Sequence, residues 1–397
     1  MFGRKQDHDI DVGLIVALFL HCLLLQALLP LVRGGTTYRG IELDLPIVWI
    51  GLIGASFSLL PIALAIPLGK IMDRGHDARA AQLGAIFMLA GSLVLWFAPD
   101  TQWHLLCANV LLGIGHLLAM AAHQVISVRS AGLKSRETVL SLYMFGLAAG
   151  QAIGPIIMAL AAGDARVAPT GMLFFLGVIV AAINVGVGFT IRRAPPKPPR
   201  SENEERLGVL EILRLKGLPA IIFASVITVT TFDVLIIYMP LLGTERHIEA
   251  SHVGWLLTVR AAGAMASRLA YVSLFRLFGR VPLTLMSLLL GAVGLIMLAL
   301  PLPLWLLYVG AVASGYGLGI SSTLAFSGMV QLAPANVRAT ALSMRLTGNR
   351  IGQVAFPSAA SLFAAVAGVG GVFTIIAVSL VIAVVWVRQS WPADKTG

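Results

Sequence analysis

Hydrophobic positions along this 397-residue chain gather into long unbroken runs. A hydrocarbon layer about 30 Å thick takes roughly 20 apolar residues in a helix. Twelve runs are of that order: Val12 to Leu31, Ile47 to Leu68, Ala80 to Ala98, His104 to Ser127, Thr138 to Ala162, Gly171 to Ile191, Leu218 to Leu242, Val253 to Phe275, Val281 to Leu300, Leu304 to Leu332, Thr340 to Ala367, and Val372 to Val387. Lipid leaves open backbone groups unsatisfied, so each run is expected as a helix. The pattern predicts an all-α membrane protein with twelve transmembrane helices.

Composition agrees. Hydrophobic residues make up 58% and charged residues 12%, against about 25% charged in a soluble domain. The net charge of +10 does not point to nucleic acid, because the basic residues sit in short segments between apolar runs. About 20 of the 28 Lys and Arg fall on the side that holds the N-terminus, while the opposite loops hold about four, Arg33, Arg39, Arg166 and Arg246. This asymmetry predicts a multi-pass protein of the cell (inner) membrane with both termini cytoplasmic. The first run lacks a small-residue cleavage site and reads as a retained span. Cys22 and Cys107 lie inside apolar runs, so neither a disulfide framework nor a metal site is expected. Neither a Gly-rich Lys-Ser/Thr loop nor a catalytic cluster in the short loops is present, so the chain reads as neither an ATP user nor an enzyme, with no cofactor.

The chain repeats itself. Residues 136–160 align with 338–362 at an offset of 202, with nine of 25 positions identical: Arg136/Arg338, Thr138/Thr340, Leu140/Leu342, Ser141/Ser343, Gly146/Gly348, Gly150/Gly352, Gln151/Gln353, Pro155/Pro357 and Leu160/Leu362. The same offset relates Gly113 and Gly115 to Gly315 and Gly317. Between the copies lies a Pro-rich basic stretch from Arg192 to Arg200, followed by Glu202, Glu204 and Glu205 and then by leucines alternating with charges. It reads as a semi-rigid linker with an amphipathic helix on the cytoplasmic surface. The expected division is 1–191, a six-helix half; 192–217, the linker; and 218–397, a second six-helix half.

Ionisable residues inside apolar runs cost at least about 2.5–3.5 kcal/mol at a helix centre, so they mark candidate sites. They are His21, His116, His123, Asp233, Arg260, Arg268, Arg345 and Arg350, on runs 1, 4, 7, 8 and 11. Asp233 is the only acid well inside. Its expected neighbour is Arg350 or Arg260, either as a structural ion pair or as a titrating, substrate-linked group. Arg345 and Arg350 stand where the other copy has Tyr143 and Ala148, so the scaffold does not require arginine there. Arg345 shares a helix face with Asn349, and Arg350 shares one with Gln353. The three histidines are candidate proton carriers or hydrogen-bonding packing residues.

The turn after run 2 reads Gly69-Lys70-Ile71-Met72-Asp73-Arg74-Gly75. Gly75 is expected at positive φ, and Asp73 as a cap or ion-pair partner. This turn, the twelve runs and the repeat resemble the major facilitator superfamily across nearly the whole chain. The resemblance implies the major facilitator fold, a cavity lined by the charged runs, and a conformational latch at Gly69, Asp73, Arg74 and Gly75. In the second copy Phe275 takes the place of Asp73. Gly146, Gly150, Gly154 and Pro155 form a helix-packing motif that resembles the run-5 signature of proton-driven exporters, the drug:proton antiporter-like branch. After Pro155 it departs to Ile156, Ile157, Met158 and Ala159. Many proton-coupled members carry Arg where Asn109 stands. The expected function is secondary active transport by alternating access in a monomer. The solute is small and anionic or carboxylate-bearing, protons are the coupling ion, and the direction is efflux. The alternative is proton-coupled uptake of an organic anion or metal chelate.

Overall fold

The computed structural model describes residues 12–73, 75–98, 100–129, 136–192, 211, 214–333 and 338–391. The linker therefore lies almost wholly outside the described residues, as does Arg74. The described residues form helices 1 to 7 at Val12–Glu42, Ile47–Asp73, Asp77–Phe97, Gln102–Arg129, Arg136–Ala162, Thr170–Thr190 and Leu218–Glu245. Helices 8 to 10 are Ala250–Phe278, Arg280–Ala299 and Leu304–Leu332. A continuous stretch, Arg338–Ser390, breaks at Gly368, where φ is +69°, into helices 11 (338–367) and 12 (369–390). Among the described residues twelve long helices result, as the runs predict. By length and apolar composition alone ten candidate spans emerge, because helices 11 and 12 count as one and helix 8 is not among them. Helix 8 carries Arg260, Arg268 and Arg276.

Helix 1 corrects the sequence reading. It does not stop near Leu31 but runs through a π-helical turn at Pro30–Gly34 to Glu42. Its 31 residues span about 46 Å at 1.5 Å per residue, well beyond the hydrocarbon thickness. A proline costs least where the regular i→i−4 ladder is already interrupted, and the π turn supplies that interruption. Thr36 then bonds back to the Val32 carbonyl, and Thr37 to the Arg33 carbonyl at 3.4 Å, so the helix continues. Arg33, taken from sequence as a loop residue, is inside the protein.

The repeat is realised in packing. A Cβ on Gly113 of helix 4 would stand 1.8 Å from the Phe57 carbonyl oxygen of helix 2; on Gly315 of helix 10 it would stand 1.9 Å from the Arg260 carbonyl oxygen of helix 8. Gly115 abuts Gly84, and Gly317 abuts Ser287, in the same manner. The helix 5 glycines meet helix 1: Gly146 at Phe19, Gly150 at Leu23, and Gly154 at Ala27 and Pro30. Gly348 and Gly352 of helix 11 meet Val226 and Thr230 of helix 7 likewise. Pro155 lies inside helix 5. The small-residue face thus joins helices within each half.

The halves meet through helices 2 and 11, 5 and 8, and 1 and 7. At the end where residues 43–46, 163–169 and 246–249 connect helices, the fit is close. Gly51 abuts Ser361, Gly54 abuts Ile237, Gly254 abuts Ala159, and Ala250 N–H donates to the Ala165 carbonyl at 2.8 Å. One apolar cluster there unites Leu31, Tyr38 and Ile50 of the first half with Leu235, Tyr238 and Leu242 of the second. This is the closed end; the basic end lies opposite. At the basic end Gly75 takes φ +78°, as expected of the turn. Gly69 and Asp73 lie on helix 2, but the side-chain surroundings of 69–74 are outside the described part, so the latch rests on sequence alone.

A charged cluster between the two halves

Arg33 and Asp233 are brought together by the same extension that carries helix 1 past Pro30. Arg33 is 2% exposed and Asp233 9%. The Arg33 Nη1 donates to Asp233 Oδ1 as a buried ion pair between helix 1 and helix 7. Its Nη2 donates to the Gly54 carbonyl at 3.4 Å, and its guanidinium lies 4.2 Å from the Phe57 ring centroid. Asp233 therefore finds its direct partner in Arg33, not in Arg260 or Arg350.

Gln353 of helix 11 connects the rest. Its Nε2 donates to Asp233 Oδ2 at 2.5 Å, while its Oε1 accepts from Arg350 Nη1 at 3.2 Å and from Ser58 Oγ of helix 2 at 3.4 Å. A single amide thus passes the carboxylate's charge to a second arginine. A cavity of about 10 Å³ beside Arg33 is lined also by Thr36, Thr37, Ile50, Gly54, Asn109 and Ile237. Asn109 donates to the Leu105 carbonyl at 2.9 Å and to Thr36 Oγ1 at 3.5 Å.

Arg260 and Arg345 sit apart from the ion pair, each on an aromatic ring. The Arg260 guanidinium is 4.9 Å from the Phe232 centroid, and that of Arg345 is 5.4 Å from the Phe326 centroid. Arg345 donates to Ser225 at 3.2 Å, and Ser225 donates to Asn349 at 3.3 Å, so Arg345 and Asn349 do share a face. The Nε atoms of Arg33, Arg260 and Arg345 are buried without a partner among the described residues. Arg268 donates to the Met144 carbonyl at 3.4 Å across helices 8 and 5. Of these five arginines, Arg33 alone among the described residues pairs directly with Asp233.

The histidines belong to the first half. His21 Nδ1 and His123 Nε2 are 2.7 Å apart. His116 lies 3.5 Å from Gln26 Nε2, with its ring centroid 5.3 Å from that of Phe57. Phe57 therefore stands between His116 and Arg33. Of the charged residues in this cluster, Arg33 alone escaped the sequence reading. The available signal was the uncharged Gly34-Gly35-Thr36-Thr37-Tyr38 stretch after Pro30, which can continue a helix.

The fold matches known structures. The inward-open xylose transporter XylE from E. coli superposes with a TM-score of 0.77 at 15% identity, covering 96% of each chain. The nucleoside transporter NupG gives 0.73 at 12% identity, over 96% of this chain and 99% of that one. A bacterial homolog of the human lysosomal transporter Spinster, inward-facing and occupied, gives 0.73 at 16%, over 95% and 96%. No curated protein sequence matches the chain significantly. The sequence pattern of the Major Facilitator Superfamily matches residues 14–242 and again 221–396. With the fold, the two repeated halves and that match in hand, the chain belongs to the Major Facilitator Superfamily and is a membrane transporter that works by alternating access, not an enzyme.

Proposed function

We propose that the chain carries a small organic anion, carboxylate-bearing, together with a proton. One observation supports this above the others: Asp233, an acid well inside helix 7, neutralises Arg33 and engages Gln353, while Arg260, Arg345 and Arg350 form no ion pair with it among the described residues. Two unit charges about 4 Å apart interact by about 4 kcal/mol at an effective dielectric of 20. Protonating Asp233 removes that interaction and frees Arg33 and Gln353 to receive a carboxylate, whose planar fork suits a guanidinium. Proton and anion therefore favour each other's binding, which is the logic of symport. The ion pair also spans the two halves, so neutralising it loosens the closed end.

Efflux, the direction suggested by the helix 5 resemblance, is the second reading. Against it, Gly146, Gly150 and Gly154 pack helix 5 on helix 1, and helix 11 packs on helix 7 in the same way, which is a scaffold role. The proposal places both termini and the 192–217 linker in the cytoplasm, the closed end outside, and the monomer in the inner membrane, with functional halves 1–191 and 218–397. Cysteines placed one at a time at Asp164 and Ser201 in a Cys107→Ser background, where the remaining Cys22 is buried, are expected to label from opposite sides with an impermeant reagent; labelling from one side overturns the topology.

The substrate reading is tested by thermal unfolding of purified protein against a panel of monocarboxylates and permanent cations at neutral and acid pH. Bound ligand stabilises by mass action. Carboxylates are expected to stabilise, and more so in acid. Stabilisation by cations alone ends the proposal. In proteoliposomes, accumulation down a proton gradient of the same sense supports symport, whereas the opposite sense establishes antiport.

A further inference from the structure

The first half buries two imidazoles against each other, away from the central cluster. His21 of helix 1 and His123 of helix 4 are both 0% exposed, with ring centroids 4.8 Å apart, edge to face. Their inner nitrogens share the 2.7 Å hydrogen bond. Their outer nitrogens, His21 Nε2 and His123 Nδ1, are buried with no hydrogen-bond partner among the described residues.

Each neutral imidazole carries one N–H and one lone pair. The pair therefore has two forms. In one, His21 Nδ1–H donates to His123 Nε2, His21 Nε2 is bare, and His123 holds its proton on Nδ1. In the other, His123 Nε2–H donates to His21 Nδ1, His21 holds its proton on Nε2, and His123 Nδ1 is bare. Neither form satisfies both outer nitrogens, so packing alone does not account for the arrangement.

We infer that His21 and His123 form a proton-relay site between helices 1 and 4. A proton taken up on bare His21 Nε2 makes that ring imidazolium. The ring's Nδ1 proton then passes along the shared bond to His123 Nε2, and His123 gives up its Nδ1 proton. One proton enters, one leaves, and the pair has moved from the first form to the second. Reverse traffic resets it.

A glycine of helix 6 packs against the buried entry nitrogen. Helix 6 presents Gly188, where a Cβ would stand 3.1 Å from His21 Nε2. One turn earlier on helix 6, Asn184 is buried with both amide atoms unpartnered. The titratable neighbours are Cys22 beside His21, Tyr143 of helix 5 with its ring centroid 6.1 Å from that of His123, and His116 two turns along helix 4. His116 in turn lies within electrostatic reach of Arg33 and Arg350. Electrostatic coupling thus runs from the pair through His116, past the Phe57 ring, to Arg33 of the Asp233 cluster. The relay's use in supplying Asp233 rests on the proton-coupled reading above; the relay itself does not.

Protons are the probe. Protein labelled with 15N in its histidine rings, held in lipid nanodiscs, is studied by NMR across about pH 5 to 8. Both tautomers of His21 and His123 are expected, in exchange that quickens with acid. His123→Gln keeps an amide near the old Nε2 position but has no second ring nitrogen, so His21 is expected to lose its second tautomer. Gly188→Ala leaves the His–His bond and is expected to slow proton exchange at His21 Nε2. Should His123→Gln fail to fold, the wild-type pH series and Gly188→Ala decide. One fixed tautomer for both rings at every pH, or His21 exchange unchanged in Gly188→Ala, overturns the relay. Failure of a proton gradient to drive transport by the wild type would end the coupling reading and leave the NMR result standing.

Discussion

The two halves share a frame and divide the chemistry. Gly113 on the Phe57 carbonyl and Gly315 on the Arg260 carbonyl are the same contact made twice, and so are the glycine faces of helices 5 and 11. The buried titratable groups are not repeated. Within the spans the first half holds His21, His116 and His123, with Asp77 buried at the start of helix 3; the second holds Asp233, Arg260, Arg345 and Arg350. Gln151 and Gln353 sharpen the contrast, because they are identical in the repeat, yet Gln353 joins Asp233 to Arg350. A duplicated scaffold fixes where helices touch. Individual substitutions decide which half carries the arginines and which the histidines. Arg33 is the exception, a first-half arginine that reaches into the second, and it makes the ion pair a bond between halves.

The largest expected effect breaks that bond. Asp233→Asn leaves Arg33 buried without its counter-charge, a loss of about 3–5 kcal/mol, whereas removing both partners of a buried pair is often nearly neutral. Asp233→Asn is therefore expected to lower thermal stability in detergent sharply, and adding Arg33→Gln to restore most of it. Rescue by Arg350→Gln in place of Arg33→Gln would move the partnership to helix 11 and remove the link between halves.

Next comes the frame itself. Gly113→Ala and Gly315→Ala each place a methyl within 2 Å of a backbone oxygen, at 1.8 and 1.9 Å before relaxation. Overpacking of this kind costs about 1–3 kcal/mol. Both variants are expected to lose stability by similar amounts, while Gly186→Ala, where a Cβ meets nothing within 4 Å, is expected to lose none. Unequal losses at Gly113 and Gly315 would show that the halves do not share one packing rule.

These contrasts explain what was legible in the sequence. Span number, the repeat and the location of ionisable residues on helices 1, 4, 7, 8 and 11 are properties of composition and spacing, which a single chain displays directly. The pairing of Asp233 was not legible, because it depends on where helix 1 ends. The apolar run ends at Leu31, and the π turn together with the threonine back-bonds lets the helix run on to bring Arg33 inward. The short reach of Gln353 was legible as a shared face with Arg350, but its bond to another helix was not. Contacts across helices need three-dimensional register, and apolar runs carry little information about rotation when nearly every face is hydrophobic.

The smallest expected effect on the fold is the most telling for function. Arg345 donates one hydrogen bond, to Ser225, and stacks on Phe326. A net hydrogen bond is worth about 1 kcal/mol, so Arg345→Gln is expected to change thermal stability by no more than about that amount. Its repeat partner Tyr143 offers the control: the hydroxyl reaches Met120 Sδ at 3.9 Å and the Gln124 side chain, and Tyr143→Phe is expected to cost about 1 kcal/mol of stability or less and to leave anion binding unchanged. If the second half binds the anion, Arg345→Gln weakens carboxylate stabilisation in the thermal assay while the unliganded melting point holds. Should Arg345→Gln bind carboxylates as the wild type does, the anion site would contract to Arg33, Arg260 and Arg350, and Arg345 would join the glycines as part of the frame. A loss of carboxylate stabilisation in Tyr143→Phe equal to that in Arg345→Gln would undo the division of labour between the halves.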